Sequence, residues 1–356
     1  MKPGTSRARL ALFLALYLLA AAWALWVFVR RPGMDAYDKA RFGDTIHGRA
    51  WRPFVGRVLV PWTVRAVMAV VPDGAEAAVG NLVRQGVVPG ENPGYVDEYP
   101  FEFAVTAALL FLCLVGFALA LRRLAGVTLG VTGWRRDVVP VPALVLLPCM
   151  YIYMNYVYDF PALFLFTLGL LMVAERRRAA FLAVFAVGCL NKETTILLSL
   201  VWFLQFRKRV SWRRLLADLG LQVLLWLGIR GGIVLLYRDR PGEMLEWWHL
   251  SRNLAIPSKI LAQLRGRPFG QIVRQRGANF LALLAGVAVL ASLRKAPVFL
   301  KRAFWIVVPL VVLMFFFGFF DELRDLYEFY PVAVLVLWSG ALRLLRPRAG
   351  LEPSTR

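Results

Sequence analysis

The sequence predicts an all-α polytopic membrane protein, with about ten transmembrane helices and a long first outer loop carrying two juxtamembrane helices. Three observations predict it. Of 356 residues, 59% are hydrophobic and only 18% charged, and the mean hydropathy is +0.60. The apolar residues fall in blocks of the length that crosses a hydrocarbon core of about 30 Å. The net charge of +21 is confined to short clusters between those blocks, as the positive-inside rule requires. Together these exclude a soluble globular enzyme, a disordered chain and a disulfide scaffold. Alternating strands are absent, which argues against an outer-membrane barrel. Clustered between apolar blocks, the basic residues read as membrane orientation rather than nucleic-acid binding.

The first block, 10–29, follows Lys2, Arg7 and Arg9 and continues past Ala22-Trp23-Ala24, so it reads as a retained anchor. Further spans are expected at 101–121, 138–157, 160–175, 179–190, 194–206, 214–237, 276–293, 303–320 and 331–346. The whole chain, 1–356, reads as one transmembrane domain in a plasma (inner) membrane, with both termini cytoplasmic. The inner segments then hold 23 of the 43 Lys and Arg but only four of the 22 acids, Asp137, Glu175, Asp218 and Glu352. Nearly all carboxylates lie on the outer side. Segment 30–100 becomes the first extracytoplasmic loop. Its apolar stretch 57–71 carries Arg57, Arg65 and Pro61 and reads as an interfacial helix, followed by an amphipathic piece at 75–88. Segment 238–275 is the second long outer loop, with Trp247, Trp248 and Arg252 as interfacial belt residues or a sugar platform. Cys113, Cys149 and Cys189 sit in apolar blocks and read as core residues, and His47 and His249 are too few for a histidine metal site.

Polar groups at membrane depth are costly and concentrate where function needs them. Four constellations stand out. Asp35 and Asp38, with Asp44 beyond, follow the first span. A carboxylate there can take a proton from an attacking hydroxyl, or help hold a divalent cation. Solvated loop acids are the structural alternative. In RPFVGRVLVP (52–61), Arg52 and Arg57 enter the interface, where guanidinium groups suit bidentate phosphate recognition or plain headgroup anchoring. Asn191-Lys192-Glu193-Thr194 joins two short spans, so its tip is expected to stop inside the protein. Lys192 and Glu193 cannot face each other. Asp159, in YVYDFPALFLF (156–166), is a candidate partner for Lys192. A closing ion pair is the alternative to phosphate binding. Last, DELRDLYEFYP (321–331) spaces Arg324, Tyr327 and Glu328 for one helical face, with Pro331 opening the final span. Arg230, beside Gly231 and Gly232, either snorkels outward or reaches the same cavity.

This set, in this order, resembles the GT-C superfamily of integral-membrane glycosyltransferases. The likeness is one of architecture and covers most of the chain. In that family an acidic residue follows the first span, here Asp35, and two juxtamembrane helices come next, here 57–71 and 75–88. An aromatic–acid pair opens a hairpin, as Tyr158-Asp159 does, and a polar break follows, like Asn191-Lys192-Glu193. An Arg and an aromatic precede a late proline, as Arg324, Tyr327 and Pro331 do. The resemblance implies a sugar donor on a polyprenyl phosphate and an inverting transfer on the outer side to a lipid-linked or cell-envelope acceptor. It also implies a first-loop Asp as base; the sequence leaves Asp35, Asp38 and Asp44 open for that role. The cations Lys192, Arg324, Arg57 and Arg230 suit the phosphate leaving group. The competing readings are a non-enzymatic transporter or lipid flippase, and a glycan polymerase. A transporter favours breaks in matching positions of two halves, and only the break at 191–193 is found.

Overall fold

The computed structural model describes residues 3–86, 94–151, 154–243, 249–251, 253–255, 269–318 and 322–344. Trp247, Trp248, Arg252 and most of the 238–275 loop lie outside the described residues. Among these residues the chain is all-helical, with one isolated bridge, Arg52 to Gly242, and no strand.

Helix α1 (Pro3–Arg30) covers the first apolar block. In the loop that follows, α2 (Leu59–Met68) and α3 (Asp73–Gly86) fall on the two expected segments. α2 buries Val60, Pro61 and Val64 on one face. Helix α4 (Pro100–Leu129) starts on a proline, whose missing N–H is harmless there, and stops at Gly130, whose φ of +66° closes the last turn. Helices α5 (Asp159–Ala174), α6 (Arg178–Asn191) and α7 (Leu197–Phe206) follow as a short antiparallel set. Then come α8 (Trp212–Leu236), α9 (Phe269–Leu293), α10 (Val298–Phe317) and α11 (Tyr330–Leu344).

Among the described residues, four stretches are long and apolar enough to cross a bilayer: Arg7–Arg30, Pro100–Leu129, Trp212–Leu236 and Val298–Phe317. Their outer faces stay apolar and open. On α8, Leu216 is 61% exposed and Leu224 68%. Such faces suit lipid as their solvent, and by length and composition these helices could span a membrane. Helices α5 and α6 have 16 and 14 residues, about 24 and 21 Å at 1.5 Å per residue, short of a full crossing. The segment 138–157 corrects the expected span there. It holds a helix of six residues, Pro140–Val145, and a 3₁₀ turn, Leu147–Met150. Hydropathy suits a span, but the helix opened by Pro140 and Pro142 meets Pro148, which has no N–H to continue it, and the chain turns into a 3₁₀ segment. Asn155 then ties the chain back to α1 by donating to the carbonyls of Phe28 (2.5 Å) and Arg31 (3.3 Å).

The core runs between α1, α4, α5, α6 and α11, with Tyr17, Phe28, Phe117, Phe160, Phe181 and Phe185 fully buried. At the basic end, buried Asp137 is held by Arg122 (2.8 Å), Arg136 (3.1 Å) and Arg9 (3.3 Å), and Tyr17 donates to its carbonyl. At the other end, Gly188 of α6 lets the following turn approach. A Cβ there would stand 2.7 Å from Thr195 Cγ2. Gly188→Val is therefore expected to cost about 1–3 kcal/mol by overpacking, read as a lower unfolding midpoint in detergent. An unchanged midpoint would show that the turn is not pinned by this contact.

Candidate functional site

Three distant segments meet where α5 begins and α6 ends. The first is the 3₁₀ turn Phe54–Gly56 of the first loop, with Arg57 after it. The second is the hairpin tip. Lys192 is extended (φ −153°, ψ 142°), which ends α6 and starts the 3₁₀ turn Glu193–Ile196. The third is the 3₁₀ turn Leu323–Leu326 between α10 and α11. They enclose a cavity of about 110 Å³ whose lining includes Tyr37, Phe54, Arg57, Tyr156, Lys192, Glu193, Glu322, Arg324 and Asp325.

Each cation there has a carboxylate. Arg57 donates to Glu193 at 2.8 Å, and Arg230 stands 3.6 Å from the same carboxylate. Lys192 pairs with Glu328 at 3.1 Å. Arg324 sends Nε and Nη2 to Glu322 Oε2 (2.9 and 2.7 Å), while its Nη1 makes only long contacts, 3.8 Å to Asp325 and 4.0 Å to Asp159. Lys192 thus takes Glu328 as its partner, not Asp159. The reason is placement: Asp159 sits at the start of α5, its Oδ2 accepts from the Tyr156 N–H at 3.0 Å, and Arg324 is the cation beside it. Burial alone would push the Glu193 carboxyl up, but Arg57 and Arg230 outweigh it and hold it well below the usual carboxylate range. Glu193 is therefore a permanent anion and a weak base.

An aromatic stack runs beside the charges. Phe54 and Tyr156 stack at 5.3 Å, Tyr156 and Tyr158 at 5.2 Å, and Tyr37 meets Phe54 edge-on at 5.4 Å. Arg57 lies over Tyr158 (4.1 Å) and Arg324 over Tyr156 (4.3 Å). Guanidinium planes held this way are fixed before any ligand arrives. Hydrogen-bonding capacity remains: Arg57 Nε, Tyr158 OH, Asn191 Oδ1, Tyr327 OH and Glu328 Oε2 are buried without a hydrogen bond. Of these residues only Arg57 lines the cavity; the other atoms lie in the packing behind it.

The remaining expected residues divide. Asn191 fixes the tip by donating to the Tyr158 carbonyl (3.0 Å), and Arg230 fixes the first loop through the Gly56 carbonyl (2.7 Å). Both support the cavity from behind. Tyr327 is fully buried beside it. Arg324, Tyr327 and Glu328 do not share an α-helical face, because 323–326 is a 3₁₀ turn and α11 starts only at Tyr330. Arg52 does not line the cavity; its backbone N–H donates to the Pro241 carbonyl at 2.8 Å. The three first-loop acids also stay outside it. Asp35 accepts from the Phe42 N–H (2.6 Å), Asp38 pairs with Arg41 (2.7 Å) and Asp44 with Arg49 (3.2 Å). Local partners hold them in the loop's own fold. Sequence reasoning missed Tyr37, Phe54, Tyr156, Glu322 and Asp325 as lining groups. Their signal was proximity to residues already singled out: Tyr37 lies between Asp35 and Asp38, and the others fall within 52–61, 156–166 and 321–331.

Among the described residues, no group of three or more His, Cys, Asp or Glu side chains is placed to hold a metal ion. Comparison with protein-family models, curated proteins and solved structures finds no match for the chain.

Proposed function

We propose that the chain is an inverting membrane glycosyltransferase that takes a sugar from a polyprenyl-phosphate donor and gives it to a lipid-linked or cell-envelope acceptor. One observation carries this reading. A carboxylate, two aromatic-backed guanidinium groups and an aromatic stack, drawn from three distant segments, meet in a single cavity. The sugar would lie against the aromatic stack. The donor phosphate would use Arg324 Nη1, which makes only long carboxylate contacts, with the Arg57 guanidinium group beside it. The acceptor oxygen then bonds to the anomeric carbon, the bond to the phosphate oxygen breaks, and the lipid phosphate leaves with its electron pair, stabilised by the guanidinium groups.

The acceptor proton needs a carboxylate in the cavity. Asp325 fits best: it is 23% exposed and its cation contact is long, 3.8 Å. Glu193 is too weak a base, and Glu322 is engaged by two nitrogens of Arg324. The geometry therefore favours Asp325 over the first-loop acids Asp35, Asp38 and Asp44. A second reading, a non-enzymatic transporter or flippase, would use the same cationic cavity.

In liposomes holding the full chain and a panel of polyprenyl-phosphate sugars, the wild type is expected to release polyprenyl phosphate from at least one donor. Arg57→Ala should raise the donor KM about tenfold or more, because a charge-assisted phosphate contact is lost. No donor consumed by the wild type overturns the reading. An unchanged KM in the variant places the phosphate elsewhere.

A further inference from the structure

At the other end of α5–α8 lies a second cavity, of about 190 Å³. It stands apart from the transferase reading and depends only on the chain being membrane-embedded. Arg176 and Arg178 reach it from the turn between α5 and α6. Arg209 comes from the turn after α7, and Arg214 from the first turns of α8. The floor is apolar and acidic at once, with Trp202 4% exposed and Asp218 4% exposed. Among the described residues Asp218 is the one acid lining it, and it is taken by Arg178 at 2.5 Å. Three arginines therefore face the cavity with no carboxylate partner among the described residues.

The second observation is independent of charge. Trp202 Nε1 is buried and makes no hydrogen bond. An indole N–H can only donate, so it lacks an acceptor. One turn above Asp218 on α8, buried Gln222 also leaves both amide atoms without partners. The turn itself is unusual. Arg176 takes φ +59°, the position where a helix end favours glycine, while its N–H and that of Arg177 close the turn onto Val173 (3.1 Å) and Met172 (2.9 Å). An arginine there sacrifices about 1–2 kcal/mol of backbone energy to stand at the rim.

We propose that this cavity binds the phosphate of an anionic phospholipid headgroup. Arg176, Arg209 and Arg214 bring three guanidinium groups without carboxylate partners to one cavity, donors suited to a single anion. Lipid suits better than a free ion because Arg214, Asp218 and Leu221 share one face of α8, and Leu221 is 37% exposed just past the cavity. An acyl chain can follow that face. By the positive-inside rule the leaflet is the cytoplasmic one.

The test uses the full chain in detergent, titrated with phosphatidylglycerol or phosphatidylcholine, with retained lipid read by native mass spectrometry. The wild type should retain phosphatidylglycerol in preference to phosphatidylcholine. Arg209→Gln with Arg214→Gln should lower that retention about tenfold or more, whereas Arg207→Gln with Arg213→Gln, the same charge change off the cavity, should alter it less than about twofold. Arg176→Gly relieves the backbone, so it should fold at least as well and still lose lipid severalfold. Equal loss in both double variants, equal retention of the two lipids, or loss in Arg176→Gly only alongside a lower unfolding midpoint would overturn the proposal. So would complete displacement of lipid by millimolar inorganic phosphate, which would assign the cavity to a free anion.

Discussion

Lys192→Ala is expected to cost about 3–5 kcal/mol of stability, the usual penalty for leaving a buried charge without its partner. Lys192 and Glu328 sit 3.1 Å apart with side chains 7% and 2% exposed. Thr194 donates to the same Glu328 oxygen, Oε1, and the other, Oε2, makes no hydrogen bond. Removing the ammonium therefore strands a carboxylate that water cannot reach. Unfolding in a detergent titration should show the loss as a shifted midpoint. Lys192→Met combined with Glu328→Gln removes both charges and should recover more than half of it. A loss under about 1 kcal/mol in the single variant would mean that the pair is wet and does not lock the hairpin tip to the late loop.

Asp325→Asn should lower turnover about a hundredfold or more while leaving the fold intact, since general-base catalysis contributes about 10²–10⁴ in rate. The amide keeps the shape of the carboxylate and loses only its basicity. Asp35→Asn serves as the comparison. It weakens one hydrogen bond to the Phe42 N–H in the loop and should leave turnover within a few-fold of wild type. Gly318 is part of the same arrangement, because a Cβ there would stand 2.5 Å from Asp325 Oδ2. The backbone at 318 is thus what lets Asp325 occupy its place. If Asp35→Asn were the inactive variant and Asp325→Asn the active one, the base would return to the first loop.

Much of the fold was legible because apolar blocks and basic turns announce helices in lipid. Helices α4 to α8 and α11 lie close to the positions those blocks give. The stretch 138–157 was misread for a definite reason: hydropathy counts Pro148 as tolerable, whereas the helix that Pro140 and Pro142 open stops short of it. In the site, Lys192, Glu193 and Arg324 stood out as charges in apolar surroundings. Their pairing did not, since Lys192 with Glu328 and Arg57 with Glu193 join residues 136 apart in sequence. Asp325 was hidden by an assumed α-helical register over 324–328, where the chain takes a 3₁₀ turn instead. Nothing in the sequence pattern marks Tyr37, Phe54 and Tyr156, and only their mutual ring contacts set them apart.

The most direct measurement follows a polyprenyl-phosphate sugar labelled separately on sugar and lipid, in liposomes containing the wild-type chain. The account predicts that the labels part: the sugar appears on an acceptor with inverted anomeric configuration, and the lipid remains as polyprenyl phosphate. Labels that stay together while the intact donor crosses the bilayer would contradict it and make the chain a carrier.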